Sequence, residues 1–290
     1  MTTREPTGRP DGGPYRGCII AVGTRHGKAL QMAHAFSETL GACLLTPPNL
    51  DTDQFGTFSG EVPRNGTALA AARAKAELAM DVSGLRYGLA SEASYGPLAA
   101  TGLPGHEELL IFLDDSRSIE VVEGYRTTQI PGSGHCAAEI DDLPSRLTDG
   151  LPAQALIVRP ARGGVAADIV KGITHRHQLR IAVAGAARRS TDGLALVDPD
   201  LRAHHNPGRR LVLTRLAATL ARRLATHCPA CDTPGFGRTL TRSGLPCGIC
   251  GTPTSVAATE VHECPACTHR RLESVSAVSA DAIWCPQCNP

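Results

Sequence analysis

Apolar and polar positions fall into short blocks that switch period, and the switches mark the elements. Cys18–Val22 is a run of β-prone residues closed by Gly23. A polar loop follows, and then Ala29, Met32, Ala33, Phe36 and Leu40 recur on one face of a predicted helix that Gly41 stops. Ala42–Thr46 reads as a second strand. Thr67 is placed to cap a helix over Ala68–Met80, which Ser83-Gly84 ends. Tyr87–Ala90 is a third strand. Glu108–Leu113 and Ile119–Glu123 read as an antiparallel pair, since Asp114–Ser118 has the length of a hairpin connection. Strands alternating with helices predict an α/β fold: a mixed sheet with flanking helices.

The pattern weakens over residues 126–160 and then sharpens. Asp141–Asp149 reads as a helix start, Ala155–Val158 and Leu194–Val197 as strands, and Ala166–Val170 and Leu179–Ala187 as helices. The clearest helix begins at Asn206, a good cap, with Pro207 at its first position. Leu213, Leu216, Leu220 and Leu224 form its stripe, surrounded by Arg209, Arg210, Arg215, Arg222 and Arg223.

Four Cys-x-x-Cys pairs follow: Cys228/Cys231, Cys247/Cys250, Cys264/Cys267 and Cys285/Cys288. Each puts two thiolates on one tight turn, so two pairs complete a tetrahedron of sulfur. Eight such cysteines predict two structural Zn²⁺ sites in a double zinc-ribbon module over residues 228–290. Two pairings are open. Sequential closure joins the first pair to the second and the third to the fourth; interleaved closure joins first to third and second to fourth. The gaps are long enough for hairpins, which favours the sequential form. Catalytic zinc is disfavoured because four sulfurs leave no open position. Cys18, Cys43 and Cys136 stand alone and read as inert; His135 and Cys136, as neighbours, point apart and make no catalytic dyad.

Length and charge refine this picture. The chain has 290 residues, enough for one large domain or two smaller ones. Residues 1–16 read as a disordered polar tail and 17–227 as the α/β domain. Residues 1–150 hold 12 Lys/Arg against 19 Asp/Glu, and residues 151–227 hold 13 against 4, so a basic segment lies inside a chain of net charge +1. Such a block suits contacts with acidic parts of the same chain, or an anionic partner. No apolar run reaches the roughly 20 residues of a membrane span. Thiols reserved for metal predict a cytoplasmic protein without membrane association.

Candidate chemistry lies in the loops. Arg25, His26 and Lys28, between the first strand and its helix, sit where α/β proteins bind anions. Asp51, Asp53 and Glu61 offer oxygen ligands for Mg²⁺. Glu92 is an acidic residue where a parallel strand ends. Arg202, His204, Asn206 and Arg209 gather at the start of the long helix and could form an anion pocket, although the same arginines could equally pair with acidic residues while the helix packs.

The order of strand, Lys28 loop, helix, strand, Lys75 helix, strand, Glu92 loop and hairpin resembles the inosine-triphosphate pyrophosphatase and Maf-like superfamily over roughly residues 17–130. The resemblance implies an inosine-triphosphate pyrophosphatase-like fold, nucleotide phosphates held by Lys28 and Lys75, and Mg²⁺ held by Glu92. Lys28 comes one residue earlier than in that family's loop, which also carries an Asn, and Ser91-Glu92-Ala93-Ser94 offers one carboxylate. The Asp198–Arg210 motif, the Asp51–Glu61 loop, Ser91–Pro97 and the ending Trp284–Pro290 resemble, over nearly the full length, a bacterial family without assigned activity, domain-of-unknown-function family 6671.

The expected function is a Mg²⁺-dependent nucleotide (pyro)phosphohydrolase, with Lys28 neutralising phosphate and Glu92, Asp51 and Asp53 holding metal and water. The alternative is a module that binds nucleic acid or a protein through the basic helix 207–226 and the zinc ribbons. Oligomeric state is open.

Overall fold

The computed structural model describes residues 13–24, 27–56, 64, 66–98, 102–130 and 134–290. It contains three sheets. The first has the order β2-β1-β3-β4-β5, formed by β1 (Ile19–Val22), β2 (Cys43–Leu45), β3 (Tyr87–Pro97), β4 (Pro104–Asp114) and β5 (Ile119–Thr127). β1 runs parallel to β2 and β3, while β3, β4 and β5 are antiparallel in turn. The mixed sheet and its predicted hairpin are therefore present, with strands β3 to β5 longer than the apolar pattern suggested.

The chain leaves β1 through α1 (Ala29–Leu40) to reach β2, then crosses through α2 (Ala68–Ser83) to the other side of β1. Strand order thus reverses between β1 and β3, and the crevice beyond the carboxyl ends of those strands is where open α/β sheets hold ligands. Met32, Phe36 and Leu40 of α1 join Leu216, Leu220 and Leu224 of α5 (Pro207–Ala225) over Leu89, Leu110 and Phe112 of the sheet. Each large apolar side chain buried this way contributes about 1.5–3 kcal/mol. On the opposite face α2 sits close, because its contact residues are Ala72, Ala76 and Ala79 and the strands beneath offer glycine. A Cβ at Gly23 would stand 2.2 Å from the carbonyl oxygen of Lys75.

The tail expected over residues 1–16 falls mostly on residues that are not described. Residues 1–12 lie outside the described residues, but Tyr15 is fully buried, edge-on to Phe112, with its hydroxyl donating to Asp114 at 3.1 Å. A lone aromatic among Gly, Pro and Arg carries no period, so the sequence did not show that it belongs to the core.

A second sheet lies within the segment read as part of one α/β domain. Its order is β6-β9-β7-β8, from β6 (His135–Ala137), β7 (Leu156–Pro160), β8 (Val170–Ile173) and β9 (Ala195–Pro199), all antiparallel. The short helix α3 (Ser145–Thr148) and α4 (Arg176–Arg189) supply Leu147, Leu179, Val183 and Ala186 to its separate core. The helix expected over Ala166–Val170 is a single 3-10 turn, Ala166–Asp168, that runs into β8.

The third sheet, β10 (Gly237–Ser243), β11 (Ala257–Glu263) and β12 (Arg270–Ser274), is an antiparallel meander. No described helix is long and apolar enough to cross a membrane.

Candidate functional site

β1 ends its pairing at Val22 and Leu89, so the edge of β3 beyond Ala90 is left to the loops. Successive β3 residues point to opposite faces, and charge gathers on both. On the α1 and α5 face, Lys28 reaches Ser91, donating from Nζ to the hydroxyl at 3.0 Å and the carbonyl oxygen at 3.1 Å. Both acceptors are neutral. On the α2 face Lys75 is ion-paired with Glu92 Oε1, and Arg64 donates to Glu92 Oε2 at 3.1 Å, to the Ser94 hydroxyl at 2.9 Å and to the Ala93 carbonyl oxygen at 2.7 Å.

Behind Lys28 lies a buried pair. Arg209 donates to Glu108 through Nε at 2.7 Å and Nη2 at 3.1 Å, and through Nη1 to the Leu201 carbonyl oxygen at 3.0 Å. Its backbone N–H is capped by Asn206 Oδ1 at 2.9 Å. His106 Nε2 is 3.3 Å from Glu108, and its ring stacks on Tyr95 at 4.4 Å between centroids. Burial pushes the Glu108 carboxyl up, but Arg209 and the hydrogen bond from His106 outweigh it and hold the group down to about 2. Burial pushes the Lys28 ammonium down to about 8, with Arg209 and Lys75 adding to the effect and Glu92 and Glu108 opposing it. Lys28 and Arg209 with Glu108 on one face, and Arg64 and Lys75 with Glu92 on the other, leave a surplus of two positive charges.

A cleft of about 470 Å³ is lined by Thr24, Thr46, Pro47, Asn49, Leu50 and Asp51. It lies off the carboxyl ends of β1 and β2.

Of the residues read from sequence, Lys75 and Glu92 are ion-paired on the α2 face, and Lys28 on the other face feels both, and Arg209, electrostatically. Asn206 serves as the cap of α5. Asp51 lines the cleft, and its Oδ1 accepts from the Asp53 backbone N–H at 3.1 Å. Arg25, His26 and Glu61 lie outside the described residues. Arg202 is bound instead to the fully buried Asp200, through Nε at 3.0 Å and Nη2 at 2.6 Å, and His204 stacks against His205. Both oxygens of Glu92 are taken by cations. Among the described residues, Asp51, Asp53 and Glu92 form no group that could hold a metal, so the expected Mg²⁺ set is not assembled.

Sequence reasoning missed Arg64, His106 and Glu108. One signal was available: His106, Glu108, Leu110 and Phe112 share a face by alternation, which puts a carboxylate in core register. With Glu107 beside it, the partner of α5 could not be chosen.

The eight paired cysteines form two groups, Cys228, Cys231, Cys264 and Cys267, and Cys247, Cys250, Cys285 and Cys288. The pairing is interleaved, which corrects the sequential reading. Each gap between pairs holds one strand, not a hairpin. Seven residues of strand span roughly 23 Å, so consecutive pairs stand at opposite ends of the meander and alternate pairs meet. Across the first group Cys228 and Cys267 sulfurs lie 3.8 Å apart and Cys231 and Cys264 3.6 Å; across the second the distances are 4.0 and 3.5 Å. Zn–S bonds of about 2.3 Å at tetrahedral angles require sulfurs near 3.8 Å, so both groups fit zinc. Backbone N–H groups of Ala266 and Cys267 point at Cys264 Sγ, and that of Cys288 at Cys285 Sγ, as stabilised thiolates need. Hydrogen bonding with Thr233 and Thr252 holds Cys231 and Cys250 down to about 6.

Fold and site together define an α/β protein with a cationic crevice at its strand-order switch and a ribbon carrying two four-cysteine clusters. The family described as Domain of unknown function (DUF6671) matches residues 75–290, and the chain belongs to that family. No curated protein and no solved structure matches the chain.

Proposed function

We propose that the crevice between β1 and β3 binds the phosphate groups of a nucleotide, and that the protein is a nucleotide (pyro)phosphohydrolase. The observation that carries the reading is Lys28. Its ammonium reaches the switch-point crevice, hydrogen-bonds among the described residues only to neutral Ser91 and stands among more cations than anions. An incoming phosphate gains charge-assisted hydrogen bonds there without separating Lys28 from a carboxylate. The half-buried Tyr95 ring, packed on His106, stands within electrostatic reach of Arg209. The cleft off the carboxyl ends of β1 and β2 has the size of a small-molecule site. Resemblance to the inosine-triphosphate pyrophosphatase and Maf-like superfamily supports the hydrolytic step. Since Glu92 is occupied, Mg²⁺ would arrive on the nucleotide phosphates, with Asp51 at the cleft as the carboxylate to meet it.

Calorimetric titration with pyrophosphate and a panel of nucleoside triphosphates tests binding, and phosphate or pyrophosphate release with Mg²⁺ tests hydrolysis. Saturable binding lost in Lys28→Met is expected; absence of binding across the panel overturns the reading. The alternative, nucleic-acid binding by α5, draws less support because Arg209 is consumed by Glu108 and Arg223 by Glu123 and the Val122 carbonyl oxygen.

A further inference from the structure

We propose that Glu260, His262 and Glu273 form a third metal site, for a divalent cation such as Zn²⁺, on the face of the ribbon sheet and separate from both cysteine clusters. Glu260 and His262 are two apart on β11 and share a face, and Glu273 of β12 is the direct cross-strand partner of Glu260. Two carboxylates set directly opposite one another repel, so positive charge between them stabilises the arrangement.

The side chains divide their atoms in a way that points to a cation. Each glutamate gives one oxygen to an arginine: Glu260 Oε1 accepts from Arg238 at 2.9 Å, and Glu273 Oε1 is ion-paired with Arg271. Each turns its other oxygen to the same nitrogen of His262, Glu260 Oε2 at 3.4 Å and Glu273 Oε2 at 3.6 Å from Nε2. One ring nitrogen carries at most one hydrogen, so it cannot donate well to both. Both distances are also long for charge-assisted hydrogen bonds of about 2.8 Å. They do match the separation of two ligands on one tetrahedral ion: bonds of about 2.0–2.2 Å place neighbouring ligand atoms roughly 3.3–3.6 Å apart. All three ligand atoms lie within 4.8 Å of one another.

The chemistry of the set narrows the ion. One imidazole and two carboxylates suit a borderline cation, and three protein ligands leave a fourth position for water or another exchangeable group. His262 and Glu273 are partly open to solvent, with side-chain exposures of 18% and 39%, so an ion can enter. Arg238 and Arg271 hold the carboxylates from behind, as outer partners of metal ligands do. The cysteine clusters, closed by four sulfurs, have no such open position.

The test is metal stoichiometry on the full chain. Protein with both cysteine clusters zinc-filled is titrated with further Zn²⁺ by calorimetry, and metal content is measured after desalting. Three equivalents are expected in the native chain, and two in both His262→Ala and Glu273→Gln. Retention of two equivalents in each variant reports an intact ribbon. Because Glu273 is on the surface, its variant serves if the His262 change disturbs folding. A native chain that stops at two equivalents overturns the proposal, as does a third equivalent that survives both substitutions. Co²⁺ offered as the third ion gives an independent readout: a hyperfine-shifted imidazole proton resonance absent from His262→Ala.

Discussion

Arg209 at the start of α5 and Glu108 on β4, 101 residues apart, are joined by two hydrogen bonds of 2.7 and 3.1 Å in a fully buried setting. The same guanidinium binds the Leu201 carbonyl oxygen just after β9. One side chain thus fastens the first sheet, the long helix and the chain leaving the second sheet. Truncating one member of such a pair leaves a charge buried without compensation, which costs about 3–5 kcal/mol. Arg209→Met and Glu108→Gln should each lower the urea midpoint accordingly. The double variant should lose much less than the sum.

Acid should act through the same pair. Glu108 is held at about 2 against 4.5 when unfolded, so the unfolded chain takes up its proton first. The stability is present above 4.5 and is lost as pH falls toward about 2. Unfolding free energy measured from pH 5 to pH 2 should therefore drop more steeply in the native chain than in Glu108→Gln. Equal slopes would rule the pair out as the source.

Lys28 gives a slope of the same sign on the alkaline side, where burial of its ammonium is a cost that deprotonation relieves. Its ammonium is held at about 8 against 10.5 unfolded, so between those values the unfolded chain holds more protons and stability rises with pH. Anion binding follows the charge itself. Affinity for a nucleoside triphosphate, whose own charge is constant over the range, should fall as pH rises through 8 in the native chain; an affinity that stays flat there would rule out Lys28 as the phosphate's partner.

The metal pairing predicts a pattern that no single substitution reveals. Replacing Cys228 and Cys264 by serine removes ligands from one cluster, so about one equivalent of zinc should be lost. Replacing Cys228 and Cys247 strikes both clusters, and about two should go. Sequential pairing would give the reverse order. Chelation should abolish the β10–β12 meander by circular dichroism, because its strands bury little apolar surface of their own.

Gly23 sets the distance between β1 and α2. A methyl group there would meet the Lys75 backbone carbonyl at 2.2 Å, and a backbone atom cannot step aside. Gly23→Ala should cost about 1–3 kcal/mol and, by moving Lys75, weaken anion binding as well. Unchanged thermal stability would show that α2 has slack.

What the sequence revealed depended on how each interaction is encoded. Cys-x-x-Cys turns are local, so all eight ligands were legible. Their partners were not, because gap length alone does not separate a hairpin from one crossing strand. The largely exposed β10 and β12 supplied no alternation to decide it. Periodicity found α1, α2 and α5, whose faces pack continuously. It missed β6 and β8, three and four residues long, too short to repeat. Lys28, Lys75 and Glu92 were found through loop position and resemblance. Arg64 was not, for its three contacts to Glu92, Ala93 and Ser94 are tertiary and nothing near it in sequence announces them.

The interleaving of the cysteine pairs also imposes an order on synthesis. A nascent chain that has emerged through Cys250 already carries four of the eight paired thiols, yet they belong to opposite ends of an unmade sheet. The first cluster closes only when Cys267 appears, and the second waits for Cys288. Until then the thiols outnumber their proper partners, and whatever shields them from mispairing or oxidation must act while the ribbon is still being made.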